Sequence, residues 1–585
     1  MTQLLIKEQY PFDLSEIPKS WKVVPLGQAV LETRPGFASG AHNDRGEGIP
    51  HLRPMNIDRQ GRIDLSVLKY VPDINELRLQ RGDVLFNNTN SAELIGKTAV
   101  IETDVEYAFS NHMTRLTLPE RMSSRFVAYQ LHYLWISGYT RFRCTHHVNQ
   151  ASVSTTTLEQ TFPFLIAPFD EQQRIVEEIE TQFSRLDEAV KALKQMQTNL
   201  QKLRAATLRW ACEGKLVPTE AELAREESRE YEPANVLLKR ILRERRERWE
   251  ADQLAKMQEQ GKSPKDNQWK ANYVEPTAPD AKNLPKLPEG WTWAFLDEVA
   301  SLISGQHILR DDYNYENIGT PYLTGPDDFG GISPTISKWT TKPKTTARAN
   351  DILITVKGSG VGKTNITNVN EVAISRQLMA IRPFVVSYKF IFYFVNTRFA
   401  YFQKLGAGST IPGIDRSNVL QLTISLPPLV EQERIVAEIE ERFSTFDELD
   451  KTIEKNLQRA ESLRQKILQK AFEGKLVQQN LEDEPASVLL ERIKAEREQR
   501  EAELKEKRKQ KPKVMKQRAA ERRKITEVLQ ESKGPLTPEQ LFRDANFKPE
   551  QVEEFYAELK TADEDAEIKQ DKLADGTVYL TATAK

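Results

Sequence analysis

Cysteine is nearly missing from this chain, with two residues in 585, Cys144 and Cys212. They lie far apart and outside any paired metal-ligand spacing, which excludes a disulfide-stapled scaffold and points to a reducing compartment. Long apolar runs are missing too, so no membrane-crossing helix is expected. The opening MTQLLIKEQYPF lacks the basic start and apolar core of a secretory signal, and the expected home is the cytoplasm. A charge of one sign is also lacking: 83 Lys and Arg stand against 85 Asp and Glu, a net charge of −2. That balance neither demands nor rules out nucleic acid, because an electrostatic footprint depends on local distribution. What is present is length. At ~150 residues per domain the chain holds about three to four domains, and 39% hydrophobic residues can fill several cores.

One block occurs twice. Glu171 to Val217 aligns without a gap to Glu431 to Val477, an offset of 260, and roughly half of the paired positions are identical. Each copy follows a proline, Pro168 or Pro428, has acidic residues in its first turn and closes at Gly214 or Gly474 followed by lysine, the start and stop signals of a helix. In the first copy Ile179, Leu186, Leu193 and Leu200 recur every seven residues, with Ile175, Ala189, Met196, Leu203 and Trp210 between them. The second copy offers Ile439, Phe446, Ile453 and Ile467, with Ile435, Leu449 and Leu463 between them; Arg442, Asn456 and Lys470 fall on the same expected seam and should weaken or register it. About 45 residues at 1.5 Å rise make a rod of ~65 Å. Two matching heptad rods in one chain are expected to pair antiparallel about an approximate two-fold axis, with the globular segments at opposite ends.

The segments before the rods differ in sequence but share ordered landmarks. Trp21 and Leu26 answer to Trp291 and Leu296, Gly82 to Phe86 (GDVLF) to Asn350 to Ile354 (NDILI), and Gly96-Lys97-Thr98 to Gly362-Lys363-Thr364. Short β-rich runs such as Asp83 to Phe86 and Lys97 to Glu102, punctuated by Gly, Asn and Pro, indicate α+β domains with one scaffold and two surfaces. The expected divisions are a first domain at 1–167, the first rod at 168–218, and a charged helix with a Pro-rich linker at 219–287. A second domain at 288–427 and the second rod at 428–477 follow, then a charged helix with a basic linker at 478–523 and a small domain at 524–585. The charged helices repeat as well, Pro233 to Met257 and Pro485 to Lys509. The last domain has the order helix, helix, helix, then two short strands around Asp575-Gly576, which looks like a winged helix; its own charge is acidic (Asp563, Glu564, Asp565, Glu567), leaving protein and DNA contact equally open.

The Pro-x-x-Glu-Gln-x-Arg-Ile-Val openings at Pro168 and Pro428, the Gly-Lys-Leu-Val closes at Gly214 and Gly474, LPEGW at Leu287 to Trp291 and its degenerate counterpart IPKSW at Ile17 to Trp21 form an ordered pair of sets. In these, residues 18 to 477 resemble the specificity subunit of a type I restriction-modification system, HsdS. The resemblance implies a prokaryotic, DNA-associated protein. It implies two target-recognition domains, each reading one half of a bipartite double-stranded DNA site, joined by two long antiparallel coiled-coil helices that dock two methyltransferase subunits. Restriction and translocase subunits would join through that complex. The chain itself would be non-catalytic, with S-adenosylmethionine, ATP and Mg on partner subunits; no Asn-Pro-Pro-Tyr-like segment for amino methylation occurs in the sequence. Because the two domains differ, the target should be asymmetric. The terminal domain lies outside the family pattern.

Three motifs suggest other chemistry. Lys357 to Thr364 (KGSGVGKT) lacks the first glycine of a phosphate-binding loop and reads better as a strand turn or a DNA-phosphate contact. Glu213-Gly214-Lys215 and Glu473-Gly474-Lys475 spell a nuclease-like Glu-x-Lys but sit where helices should be capped. Cys144-Thr145-His146-His147 has too few partners for a tetrahedral zinc. Nuclease or nucleotide-hydrolysing activity would need metal- or ATP-dependent turnover by the isolated chain, and a scaffold without sequence preference would bind specific and scrambled duplexes alike. Candidate DNA contacts in the first domain are Arg78, Arg81, Lys97, Arg115, Arg141, Arg143, His146, His147, Asn149 and Gln150. Those in the second are Lys338, Lys342, Lys344, Arg348, Lys357, Lys363, Arg376, Gln377, Lys404 and Asn418. Lys and Arg suit phosphates, while Arg favours guanine edges and Asn or Gln adenine edges.

Overall fold

The computed structural model describes residues 11–583 except 12–13, 15, 74–76, 149, 265, 408–411, 511–522, 533, 549–550 and 573–577. The chain forms two compact units, residues 1–178 with 468–585, and residues 179–467.

In the first unit, the first domain is built on a four-stranded antiparallel sheet in the order Glu32–Pro35, Met113–Thr117, Val84–Asn87, Thr98–Val100. A smaller sheet pairs Ile49–Leu52 antiparallel to Lys69–Val71 and parallel to Ala108–Phe109. In the second unit, the second domain repeats this plan with Ala300–Ser304, Leu378–Pro383, Ile352–Thr355 and Thr364–Ile366, and with Thr320–Leu323 parallel to Val372–Ile374. The VLF of the GDVLF landmark and the ILI of NDILI are therefore equivalent central strands, buried throughout as a run covered on both faces should be. An outer pair closes each domain, Lys22–Pro25 with Pro163–Ile166 and Thr292–Phe295 with Thr423–Leu426.

The rods are single helices, Phe169–Cys212 and Leu429–Phe472, of 44 residues each. Both close as expected: Gly214 and Gly474 have φ of 66° and 68°, and Lys215 and Lys475 donate their backbone N–H to Trp210 and Lys470 carbonyls at 2.9 and 2.8 Å. The Glu-x-Lys elements are thus helix caps. Within the second unit the helices pair antiparallel through reciprocal contacts. Arg464 lies 4.6 Å from the Phe183 ring centroid and bonds Asp187, while Arg204 lies 5.3 Å from the Phe443 ring centroid and bonds Asp447 at 2.7 Å.

The expected seam is half right. The set Ile179, Leu186, Leu193, Leu200 and the set Ile439, Phe446, Ile453, Ile467 are buried or half-buried. Ile175 and Ile435, at the rod starts, are fully buried. The interleaved set turns outward, with Met196 54%, Leu203 43%, Leu449 45% and Leu463 39% exposed. The helices instead turn inward the residues four positions after the first set: Phe183 and Arg464 are buried, and Val190, Arg204, Phe443, Asp450 and Leu457 are half-buried. A two-helix contact covers one stripe, and the aromatic–arginine stacks draw it to that side. Arg442, Asn456 and Lys470 accordingly lie off the seam; Arg442 bonds Glu438 of its own helix at 2.6 Å.

Each charged helix packs on one domain. Ala486–Gln510 buries Leu489 and Ile493, and its Ala486 N–H donates to Ser20 at 3.0 Å. Ala234–Glu259 buries Leu237 and Ile241, and its Ala234 N–H donates to Gly290 at 2.8 Å. The linker after it is held by aromatic contact, with Trp269 and Tyr273 centroids 6.0 and 5.3 Å from Trp249. The terminal domain has helices Ile525–Glu531, Pro538–Asp544 and Val552–Glu564 and the hairpin Ile568–Lys572 with Val578–Ala582, the winged-helix order; the Asp575-Gly576 turn lies outside the described residues.

Candidate nucleic-acid interface

The domains are held to the rod starts by the Glu-Gln pair of the repeated motif. Gln172 and Gln432 are fully buried, and each accepts from the N-cap residue of a domain helix (Ser123 N–H 3.0 Å, Ser387 N–H 2.9 Å) while donating to a carbonyl just before the rod (Ala167 and Pro427, both 2.9 Å). Beside them Glu171 accepts from the Trp21 indole at 3.0 Å and Glu431 from the Trp291 indole at 2.9 Å. Burial pushes both carboxyls above the ordinary range even though these bonds pull the other way. Two buried polar side chains with paired partners fix the domain's placement, since leaving either partner unpaired costs about 1–3 kcal/mol.

On this frame three backbone segments converge in each domain. The end of the central strand (Asn88 or Val356) donates to a tight turn (His112 O 3.0 Å, Gln377 O 2.8 Å) and accepts from a returning segment (Val153 N–H 2.9 Å, Ile414 N–H 3.0 Å). The turn begins at a buried serine whose hydroxyl accepts the N–H two residues on, Ser110 from His112 at 3.2 Å and Ser375 from Gln377 at 3.1 Å. The same serines donate their N–H to Leu52 at 2.9 Å and Leu323 at 3.0 Å, the last residues of the parallel strands. The backbone is one pattern; the side chains on it are not. The first domain presents Thr89-Asn90 and Asn111-His112 with the hairpin strands Thr145–His146 and Ala151–Ser152, and the second presents Lys357-Gly358 and Arg376-Gln377.

The sequence candidates divide against this surface. His146, His147 and Gln150 are exposed on or beside the hairpin, with His147 Nε2 2.9 Å from Ser152 Oγ; Asn149 lies outside the described residues. Lys357, Arg376 and Gln377 meet at the second domain's junction. Lys363 is exposed where the glycine-rich turn rejoins a strand. That turn joins two antiparallel strands (Thr355 N–H to Lys363 O 2.8 Å), so the strand-turn reading holds; a phosphate-binding loop leads into a helix.

Others serve the fold. Lys97 is only 5% exposed and gives its ammonium to the Ile57 carbonyl, so it is a buried structural lysine and not a backbone contact; burial lowers its pKa. Arg115 is held by Glu32 at 3.0 Å and the Arg78 carbonyl at 2.8 Å, and Arg78 pairs with Asp73. Lys338 bonds Thr324 at 3.0 Å, and Asn418 caps its helix by accepting from Asp415 N–H at 2.8 Å. Arg81 and Lys342 are exposed but paired with Asp104 and Asp312 at 3.3 and 2.6 Å, and Lys344 donates to the His307 carbonyl at 2.9 Å. Arg348, Lys404 and Arg141 are exposed, and Arg143 stacks 5.5 Å from the Tyr139 centroid. Asn90, Asn111 and His112, absent from the sequence candidates, lie exposed or half-exposed at the first junction, while Asn88 is buried and donates to Thr114 at 2.8 Å; the parallel strings SNHM at 110–113 and SRQL at 375–378 were the available signal.

Comparison with known proteins bears on this surface. Residues 288–460 match the family model of the type I restriction modification DNA specificity domain. The chain is 24% identical over 475 residues to a protein of Methanocaldococcus jannaschii described as the MjaX type I restriction enzyme specificity subunit, covering 79% of this chain and 95% of that one. It is 22% identical to the EcoKI specificity subunit of Escherichia coli K12, covering 82% and 96%. A chain from a solved structure on complex assembly and conformational transition of the type I R-M system superposes with a TM-score of 0.57 at 22% identity, over 78% of this chain and 99% of that one.

Proposed function

Because this chain belongs to the specificity subunits of type I restriction enzymes, we propose that each of its two recognition domains reads one half of an asymmetric, bipartite double-stranded DNA target. The rod helices dock two methyltransferase subunits, and restriction subunits join through that complex. Chemistry belongs to the partners: S-adenosylmethionine, ATP and Mg are expected on them, and this chain supplies only the choice of site. The observation that carries the reading is the pair of junctions, in which a matched set of backbone hydrogen bonds presents Asn111-His112 in one domain and Arg376-Gln377 in the other. A shared backbone with unlike polar side chains is what two different half-sites require, since phosphate contacts position a protein and base-edge contacts specify it. Each mismatched base pair should cost about 1–3 kcal/mol, enough to restrict the partners' methylation.

The test is to co-express the chain with its methyltransferase subunit and map methylated adenines across host DNA. One bipartite motif with unlike halves, altered in one half only when residues 18–167 are exchanged for those of another specificity subunit, supports the reading. Absence of a motif, or a motif unchanged by the exchange, overturns it in favour of a scaffold without sequence preference.

A further inference from the structure

The serine turn of the second domain carries more than a general suggestion of DNA contact. Ile374 and Leu378 on either side of it are fully buried, whereas Arg376 and Gln377 between them are exposed. Neither side chain has a hydrogen-bond or ion-pair partner among the described residues. The backbone beneath them is fixed at three points: Ser375 N–H on Leu323 O at 3.0 Å, Leu378 N–H on Ser375 O at 2.9 Å, and Val356 N–H on Gln377 O at 2.8 Å. The Gln377 carboxamide lies over Gly325, where an added Cβ would come 2.5 Å from Oε1, so that glycine leaves room for the amide's present position. Lys357, exposed and adjacent through Val356, adds a positive charge beside the pair.

We propose that Arg376 and Gln377 are base-reading residues of the second domain, with Arg376 directed to a guanine and Gln377 to an adenine on neighbouring base pairs, and that Asn111 and His112 hold the corresponding places in the first. The inference rests on the sequence-specificity reading above and names the residues that carry it. An exposed Arg-Gln dipeptide on a loose loop would be ordinary solvated surface. Here the turn's backbone is already fixed, so binding costs the rotamer freedom of two side chains but no backbone ordering, and the residue types match the bidentate edges of guanine and adenine. The neighbouring Lys357, by contrast, is suited to a phosphate.

The experiment uses the full chain with its methyltransferase subunit and reads the methylated motif in host DNA for wild type, Arg376→Lys, Gln377→Ala and Gly325→Ala. Both dipeptide positions are exposed, and Arg376→Lys keeps the charge a phosphate contact would need. Expected are a loss of at least tenfold in preference at one base pair for Arg376→Lys and at a neighbouring base pair for Gln377→Ala. Gly325→Ala should reproduce the Gln377→Ala defect, and the half-site of the first domain should stay unchanged. If the wild type yields a bipartite motif but these variants keep every position of it, or lower methylation evenly with no position relaxed, the assignment is overturned and the specificity reading stands. If the wild type yields no motif, it is the specificity reading that fails.

Discussion

The rods and the recognition domains are both internal repeats, but they repeat different things. Between the rods the side chains recur: Phe183, Asp187 and Arg204 have Phe443, Asp447 and Arg464 as their counterparts, and each arginine reaches the other helix's phenylalanine and aspartate. Between the domains the backbone hydrogen bonds recur while the exposed side chains change. The difference has a physical source. An antiparallel pair related by a pseudo-two-fold buries a surface against its own copy, so the complementary residues must be present on both strands. A turn whose backbone is fixed from within can carry any exposed side chain without loss of fold.

If burial and not symmetry sets the strength of the rod clasps, the two reciprocal arginines should differ. Arg464 is 8% exposed over Phe183, and Arg464→Ala should destabilise the chain by about 3 kcal/mol, the combined loss of the ring contact, the packing of its buried stem and an ion pair with the partly exposed Asp187. Arg204, with its side chain 25% exposed, should cost about 1 kcal/mol. Denaturant melts of the two variants decide, and equal losses would break the argument.

The domains should separate in acid. His51 in the first is packed 5.0 Å from the His42 ring and paired in strand register with Ala108; in the second, Tyr322 occupies this place opposite Ala373, with Tyr313 beside it. Burial, then His42 and Arg53, lower the His51 pKa from 6.5 to about 4. Between those values the unfolded chain takes up a proton that the folded chain refuses, so stability is complete above pH 6.5 and falls as pH drops toward 4, by as much as ~3 kcal/mol. Glu171 and Glu431, with raised pKa values, change in the opposite sense in both halves. Hydrogen exchange from pH 7 to 4 should therefore show the first domain opening ahead of the second, and His51→Tyr should remove the difference; simultaneous opening in the wild type would contradict it.

The rotated seam gives the smallest test. Leu200→Ala, on the buried stripe, should cost about 2 kcal/mol, whereas Leu203→Ala, on the outward one, should stay within ~0.5 kcal/mol in the isolated chain. Comparable losses in thermal melts would restore the stripe expected from the heptads.

The rods were legible because their signals are local. Proline, acidic first turn and glycine close mark a helix from within a few residues, and the 260-residue offset announces the copy. Heptad reading failed at Met196, Leu203, Leu449 and Leu463 because every apolar residue near the stripe counts equally, whereas the partner covers only one side and two arginines stack where apolar residues were expected. Lys97 was misread for a related reason: its Gly-Lys-Thr setting matches that of the exposed Lys363, and nothing local tells that the Ile57 carbonyl lies above one and solvent above the other.

Two domains, two matched helical rods and a small acidic domain after them are already written in the order of residues, since composition, caps and internal repetition are properties of the chain read in order. Folding, by contrast, set which face of each rod meets the other, buried Lys97 while leaving Lys363 exposed, and brought residues 88, 112 and 153, or 356, 377 and 414, to one junction. Those outcomes depend on hydrogen bonds and burial between segments 21 residues apart or more, such as Val356 with Gln377 and Asn88 with Val153. Local sequence carries no record of such closures, because a side chain's surroundings are set by the segments that arrive from elsewhere in the chain.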